Sequence, residues 1–358
     1  MSANKKVLIT GNEAMAEAAL QAGCRFFAGY PITPQNELIA YMAKRMPKAG
    51  GVFIQAESEI AAVNMVFGAS AAGFRAITTS SSPGISLKQE GISYMAGAQL
   101  PCVIINVMRA GPGLGNITPS QGDYFQATKG GGHGDYNLIV LAPSTVAEAF
   151  ELTMLAFDLA DKYRNPVMIL TDAFLGQMAE PIEIKRQRPK NKNFKKDWAL
   201  TGAKNRKPNV ISSLFIKEGV LEEHNKKLQE KYKSVRKKEI RYKSLNLKEA
   251  DIVFVSYGIV SRIAQEAANI LKREGMNIGL FSPVTLWPFP YKQLKQLTAD
   301  KKAVFVFELS SGQMVQDVEF ALDRTLPVYF YGRMGGEVFS EKDIVKFVKK
   351  KLTYAGKS

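Results

Sequence analysis

From Lys6 to about Ile182, short apolar runs rich in β-branched residues alternate with Ala-rich stretches of helical spacing. The runs fall at 7–10, 52–55, 76–79, 103–107, 138–141 and 167–170. Between them lie stretches such as 13–21, closed by Gly23, and 59–72, closed by Gly73. Glycine just past the last helical residue is a stop signal, because it takes the left-handed conformation without a Cβ clash. Residues 145–163 read as another long amphipathic helix. Strands that are apolar throughout need cover on both faces, so the alternation predicts a parallel α/β sheet over residues 1–183.

Residues 184–248 break the pattern: they are polar, with helical content expected around 220–238. From Ala250 the alternation resumes, with runs at 252–256, 278–282, 303–308 and 328–331 separated by helical stretches. A second, smaller α/β domain is expected over 249–358. A length of 358 residues agrees with two domains at roughly 150 residues each.

Charge changes the picture only in one place. The net charge of +15 resembles a nucleic-acid signature until it is mapped. Residues 184–248 hold 21 Lys and Arg against 6 Asp and Glu, which is the whole excess. This segment lacks aromatic interleaving and any zinc or helix-turn-helix pattern, so nucleic acid is disfavoured. A solvated basic connector is preferred, ahead of a dock for an acidic protein or a phosphate-bearing cosubstrate.

The first ten residues hold only a short apolar run, shorter than the ~7–15 residues of a signal-peptide core. No stretch approaches the ~18 apolar residues of a membrane span. A cytoplasmic protein is expected. Cys24 and Cys102 are the only cysteines, too few for an iron–sulfur cluster, and they read as small buried hydrophobes. Two histidines, His133 and His224, exclude a histidine-rich metal site.

Motifs for familiar α/β chemistry are missing. Arg109-Ala-Gly-Pro-Gly-Leu-Gly115 and Gly130-Gly-Gly-His-Gly134 do not follow the dinucleotide pattern, and there is no Walker motif. No Gly-x-Ser-x-Gly elbow occurs. What remains are polar residues just after apolar runs, where open α/β sheets place ligands. Tyr30-Pro-Ile-Thr-Pro34 is a turn stiffened by two prolines, with Thr33 between them. Gln55-Ala-Glu-Ser-Glu59 sets two acids before a helix, where the dipole alone would favour them. Arg109 follows the run at 103–107 and suits bidentate capture of a carboxylate, or a salt bridge to a nearby acid.

Taken together, these segments resemble the alpha subunits of 2-oxoacid:ferredoxin oxidoreductases. The likeness rests on Tyr30-Pro-Ile-Thr-Pro34, on Glu57-Ser-Glu-Ile-Ala-Ala62 with Gly68-Ala69 and Ala72-Gly73, and on Arg109-Ala110. Glu308-Leu-Ser-Ser-Gly-Gln-Met314 extends it into the second domain. Residues 29–36, 80–94 and 129–136 look most like the branch assigned to 2-ketoisovalerate (3-methyl-2-oxobutanoate). The resemblance implies a thiamine-type pyrimidine-binding domain followed by a transketolase C-terminal-like domain. It implies that Glu59 hydrogen-bonds the aminopyrimidine ring of thiamine diphosphate, with Pro31 and Ile32 beside the cofactor. Thr33 and Arg109 would hold the 2-oxoacid, and Glu57 is the weaker candidate for the cofactor contact. CoA is the implied cosubstrate and ferredoxin the electron acceptor.

Two departures narrow this. Thiamine enzymes hold the diphosphate and Mg2+ through Gly-Asp-Gly and a later Asn, yet here Gly122-Asp123 and Gly134-Asp135 are each followed by tyrosine. The diphosphate, Mg2+ and [4Fe-4S] clusters are therefore expected on partner chains: a beta subunit, with gamma and ferredoxin-like delta subunits. The loop Gly111-Pro-Gly-Leu-Gly-Asn-Ile-Thr-Pro-Ser-Gln121 also lacks the lysine found in several relatives. With no second cation for a distal carboxylate, a branched or aliphatic 2-oxoacid is favoured over 2-oxoglutarate.

Overall fold

The computed structural model describes residues 6–184 and 194–355. Its central feature is a seven-stranded sheet in the order Thr285–Trp287, Ile139–Leu141, Val167–Asp172, Val103–Met108, Ala76–Ser80, Phe26–Gly29, Val52–Gln55. All neighbours are parallel except the pair formed by Thr285–Trp287 and Ile139–Leu141. Every residue of Val103–Met108 and Val167–Asp172 is buried, as strands covered by helices on both faces must be.

Local signals set the helix ends. Helix Gly11–Gln21 opens with a reciprocal cap: Glu13 N–H donates to Thr10 Oγ1, and Thr10 N–H donates to the Glu13 carboxylate. Gly23 and Gly73 follow helices Gly11–Gln21 and Glu59–Ala71 with φ of 83° and 92°, the left-handed stop that the sequence predicts. One apolar run behaves differently from expectation. Lys6–Thr10 does not join the large sheet but pairs antiparallel with Ala179–Glu183. Of its apolar residues, Ile9 is buried while Val7 and Leu8 stay exposed, so it cannot be a central strand.

A five-stranded sheet forms the second unit, in the order Val328–Gly332, Ala303–Glu308, Ile252–Val255, Ile278–Pro283, Tyr242–Leu245. The basic segment contributes its last strand and also helix Val220–Lys238. That helix buries Leu228, Tyr232 and Val235 and carries acids in its first turn and bases in its last, as its dipole favours. Residues 185–193 of the basic segment lie outside the described residues.

The two units share one seam. Strand Thr285–Trp287 belongs in sequence to the second unit and closes the edge of the first sheet. The buried Tyr124 hydroxyl donates to Asp317 at 2.5 Å across the seam. Buried Gln121 clips the first unit to the second by four hydrogen bonds: its Nε2 donates to Tyr257 O (2.9 Å), its N to Leu309 O (2.8 Å), Leu309 N to its Oε1 (3.0 Å) and Tyr257 OH to its O (3.4 Å).

Candidate active site

Because the central strands are parallel, Phe26–Gly29, Val52–Gln55, Ala76–Ser80 and Val103–Met108 end on one edge of the sheet. The segments after them carry the polar residues singled out by the sequence. The prolyl turn follows the first of these strands. Gln35 braces it, accepting from Thr79 Oγ1 at 2.6 Å and donating to Tyr30 O at 3.3 Å. Asn12 Nδ2 donates to Pro34 O at 2.9 Å. Thr33 and Ile32 are half-buried and Pro31 is exposed.

Arg109 and Thr33 are in direct contact. Arg109 is 7% exposed; its Nη1 donates to Thr33 O and its Nη2 to Leu114 O, both at 3.0 Å. Its Nε is buried without a partner, and among the described residues no carboxylate pairs with it. A guanidinium has five N–H donors; with two used and Nε closed off, one on each Nη remains for a ligand. The backbone at Arg109 is pinned as well. Its N–H donates to Ser82 Oγ at 3.0 Å, and Ser82 donates to Asp123 Oδ2 at 2.6 Å. Asn106 Nδ2 donates to the same oxygen at 2.9 Å. Burial pushes the Asp123 carboxyl above its ordinary value, and these hydrogen bonds oppose the rise.

The two acids of Gln55-Ala-Glu-Ser-Glu59 part company. Glu57 precedes the helix and is exposed. Glu59 is the first residue of helix Glu59–Ala71, behind a Ser58 cap whose Oγ accepts from Ala61 N at 3.1 Å. It is only 5% exposed, and no side chain among the described residues hydrogen-bonds its carboxyl. The carboxyl lies against Gly84 in helix Ser82–Gly97: a Cβ there would stand 2.4 Å from Glu59 Oε1 and 2.1 Å from Ser80 Oγ. Ser80 Oγ and Ser81 Oγ are buried without hydrogen-bond partners. One helix start thus touches both groups, Ser82 at the Arg109 backbone and Gly84 at the Glu59 carboxyl.

Such a pocket suits the donor and acceptor edge of an aminopyrimidine ring. A largely buried carboxyl with no protein hydrogen bond among the described residues, and the unpartnered Ser80 hydroxyl close by, leaves hydrogen-bonding capacity that a bound polar ring would use. Gly84→Ala tests the fit. Its φ is not in the left-handed range, and the atoms in the way are side-chain ends, so they can shift and the fold survives. The added methyl overpacks a buried site, so thermal melts should show a loss of ~1–3 kcal/mol in place of the gain that alanine gives an open helix position. Displacing the carboxyl by an ångström should lower kcat about a hundredfold.

Lys88 was not anticipated. It is wholly buried, and Nζ donates to Thr78 Oγ1 at 2.7 Å and Thr79 O at 2.9 Å. Burial pushes its ammonium down to about 7, against the attraction of Glu59. A lysine lowered on folding costs stability fully below about 7 and not at all above its ordinary 10.5. The unfolding free energy of the wild type minus that of Lys88→Met, from urea titrations, should therefore climb as pH rises through that window. A flat difference would mean that the ammonium is not desolvated.

Other groups the sequence did not flag are Asp123, Gln121 and Gly84. Asp123 entered only as part of a failed diphosphate motif. Cys24 and Cys102 are both buried and unpaired, and burial pushes the Cys24 thiol up to about 12. No group of three or more His, Cys, Asp or Glu among the described residues is arranged to hold a metal. No helix among them is long and apolar enough to cross a membrane. An open cleft of about 790 Å³ between the 129–137 loop and helix Val220–Lys238 includes none of the strand-end cluster.

Comparison with known proteins places these observations. The family model described as pyruvate flavodoxin/ferredoxin oxidoreductase, thiamine diphosphate-binding, matches residues 17–244. Pyruvate:ferredoxin oxidoreductase core domain II matches 250–344. The ketoisovalerate oxidoreductase subunit VorB of Methanothermobacter thermautotrophicus is 49% identical over 96% of this chain and 97% of its own. The 2-oxoglutarate synthase subunit KorA of Methanocaldococcus jannaschii is 38% identical over 96% of this chain and 99% of its own. Among solved structures, 2-oxoglutarate:ferredoxin oxidoreductase from Magnetococcus marinus, with 2-oxoglutarate, coenzyme A and succinyl-CoA bound, superposes with a TM-score of 0.85. The two are 29% identical, and the match covers 97% of this chain but 65% of that one.

Proposed function

This chain belongs to the pyruvate flavodoxin/ferredoxin oxidoreductase family, and from that premise we propose that it is the alpha subunit of a cytoplasmic oxidoreductase acting on a branched-chain 2-oxoacid. The reaction is oxidative decarboxylation of 2-ketoisovalerate to the acyl-CoA, with ferredoxin as acceptor. The observation that carries it is the buried Glu59 carboxyl, left without a protein hydrogen bond in a pocket made for it by Gly84.

Thiamine diphosphate, when bound, supplies the nucleophilic carbon and takes up the electron pair left by departing CO2. This chain does the rest of the positioning on its side. Glu59 would share a proton with a nitrogen of the aminopyrimidine ring, and Pro31 and Ile32 would help hold the cofactor. Arg109 offers the two free N–H donors of its Nη atoms to the substrate carboxylate, while Thr33 fixes the guanidinium through its carbonyl. The carboxylate loses charge in the transition state, so a hold that is firm but not maximal serves turnover best.

Anchoring of the diphosphate and Mg2+ falls to a beta subunit, and the [4Fe-4S] clusters to further gamma- and delta-type chains. The choice of substrate is supported by the loop 111–121, which contains no cation for a distal carboxylate. Higher identity to a ketoisovalerate subunit than to a 2-oxoglutarate subunit points the same way.

Assembly with the partner chains, followed by CoA-dependent reduction of a viologen dye, tests the reading. The kcat/KM should be highest for 2-ketoisovalerate among that acid, pyruvate and 2-oxoglutarate, and the chain alone should be inactive. A preference for 2-oxoglutarate would overturn the substrate assignment. Turnover by the isolated chain would overturn the division of labour.

A further inference from the structure

Lys88 is a cation that the proposed reaction leaves unemployed. Two of its ammonium hydrogens are held by Thr78 Oγ1 and Thr79 O, at the end of the strand that leads into Ser80 and Ser81. It stands four residues after Gly84 in helix Ser82–Gly97, hence on the same helix face. Gly84 in turn touches the Glu59 carboxyl. Two ionisable groups act on Lys88: Glu59 from helix Glu59–Ala71, and Cys102 from the approach to strand Val103–Met108. Burial keeps the Cys102 thiol protonated, so among the described residues Glu59 is the anion that acts on Lys88. Among the described residues the pair makes no ion-pair contact; Gly84, one helical turn before Lys88, packs against the carboxyl.

We propose that Lys88 is a positioning residue for catalysis: clamped by Thr78 and Thr79, it is the fixed counter-charge that biases the Glu59 proton toward the cofactor ring. The inference rests on the reading of Glu59 as the cofactor's partner. Its chemistry is a single proton shift, in which a Glu59 O–H bond breaks as a ring N–H bond forms. A positive charge behind the oxygen lowers the energy of the carboxylate left behind, so the proton spends more time on nitrogen. Buried charges feel one another strongly because little water screens them. Thr78 and Thr79 matter because they remove the freedom of a flexible side chain to point elsewhere.

Two measurements test this. In the assembled, thiamine-loaded enzyme, Lys88→Met should leave the 2-oxoacid KM and cofactor affinity within about threefold while lowering kcat about ten- to hundredfold. The protonated-ring ultraviolet band of the bound aminopyrimidine should also lose amplitude, since more of the shared proton then stays on Glu59. An unchanged kcat–pH profile and a band of unchanged amplitude would overturn the proposal.

The second measurement is independent of the variant's folding and of the cofactor. In the full-length chain with carbon-13 at lysine Cε, Glu59→Gln should lower the titration midpoint of Lys88 by about one unit, read by NMR. A midpoint that stays in place shows that the two charges are uncoupled and sinks the idea. Failure of the underlying reading looks different: Glu59→Gln would then turn over normally, whatever Lys88 does.

Discussion

Glu59→Gln is expected to stop turnover of the assembled enzyme while leaving its fold intact. Glutamine matches the carboxyl in shape, so the pocket against Gly84 stays filled and the helix keeps its Ser58 cap. What it cannot do is give up or take back a proton at the ring nitrogen. Loss of a positioned acid–base group costs about 10²–10⁴ in rate, and the fall should appear in kcat. Glu57→Gln is the control: its side chain is exposed and lies outside the helix, so kcat should stay within about twofold, as for a surface change. Steady-state rates on the two variants, with melting curves to confirm folding, decide the matter. A dead Glu57 variant beside an active Glu59 variant would transfer the role.

Arg109→Lys is the second large effect. Lysine keeps the charge but replaces a fork of five donors with three donors on one nitrogen. Thr33 O and Leu114 O already take two of the present hydrogen bonds, so a lysine that kept them would have one left for the substrate. Losing one leg of a bidentate charged pair costs about 1.5–3 kcal/mol, or roughly ten- to hundredfold in kcat/KM. KM should carry most of it, because the carboxylate is held before as well as during reaction. Arg109→Ala should be worse still, since the Thr33 carbonyl and the 111–121 loop lose their shared anchor. Wild-type KM in both variants would move carboxylate capture to another chain.

The architecture was legible because its signals are local. Apolar runs covered on both sides and Gly23 and Gly73 after helices act within a few residues. The sequence also pointed to Thr33 and Arg109, which the fold brings to 3.0 Å of each other. It did not reveal what arranges them. Gly84 matters through a contact with a residue 25 positions earlier, and Lys88 through strand atoms ten and nine positions before it. Nothing in their neighbours' spacing marks such contacts. The run 7–10 misled for a similar reason: an apolar strand with one buried face and one with two look alike over so few residues. Gln313 likewise reaches across to the first unit: its Nε2 donates to Gly122 O, and its Oε1 accepts from Phe125 N, both at 2.7 Å.

Strand Thr285–Trp287 constrains anyone wishing to study the thiamine-type region by itself. A fragment stopped before residue 249 would strip Ile139–Leu141 of its neighbour, baring a rim of unpaired amides on a wholly apolar strand. Such rims recruit strands from other molecules. Expression of that fragment should yield aggregates, whereas one carried past Trp287 keeps the rim sealed. Cutting the gene where the composition changes would therefore cut through a sheet.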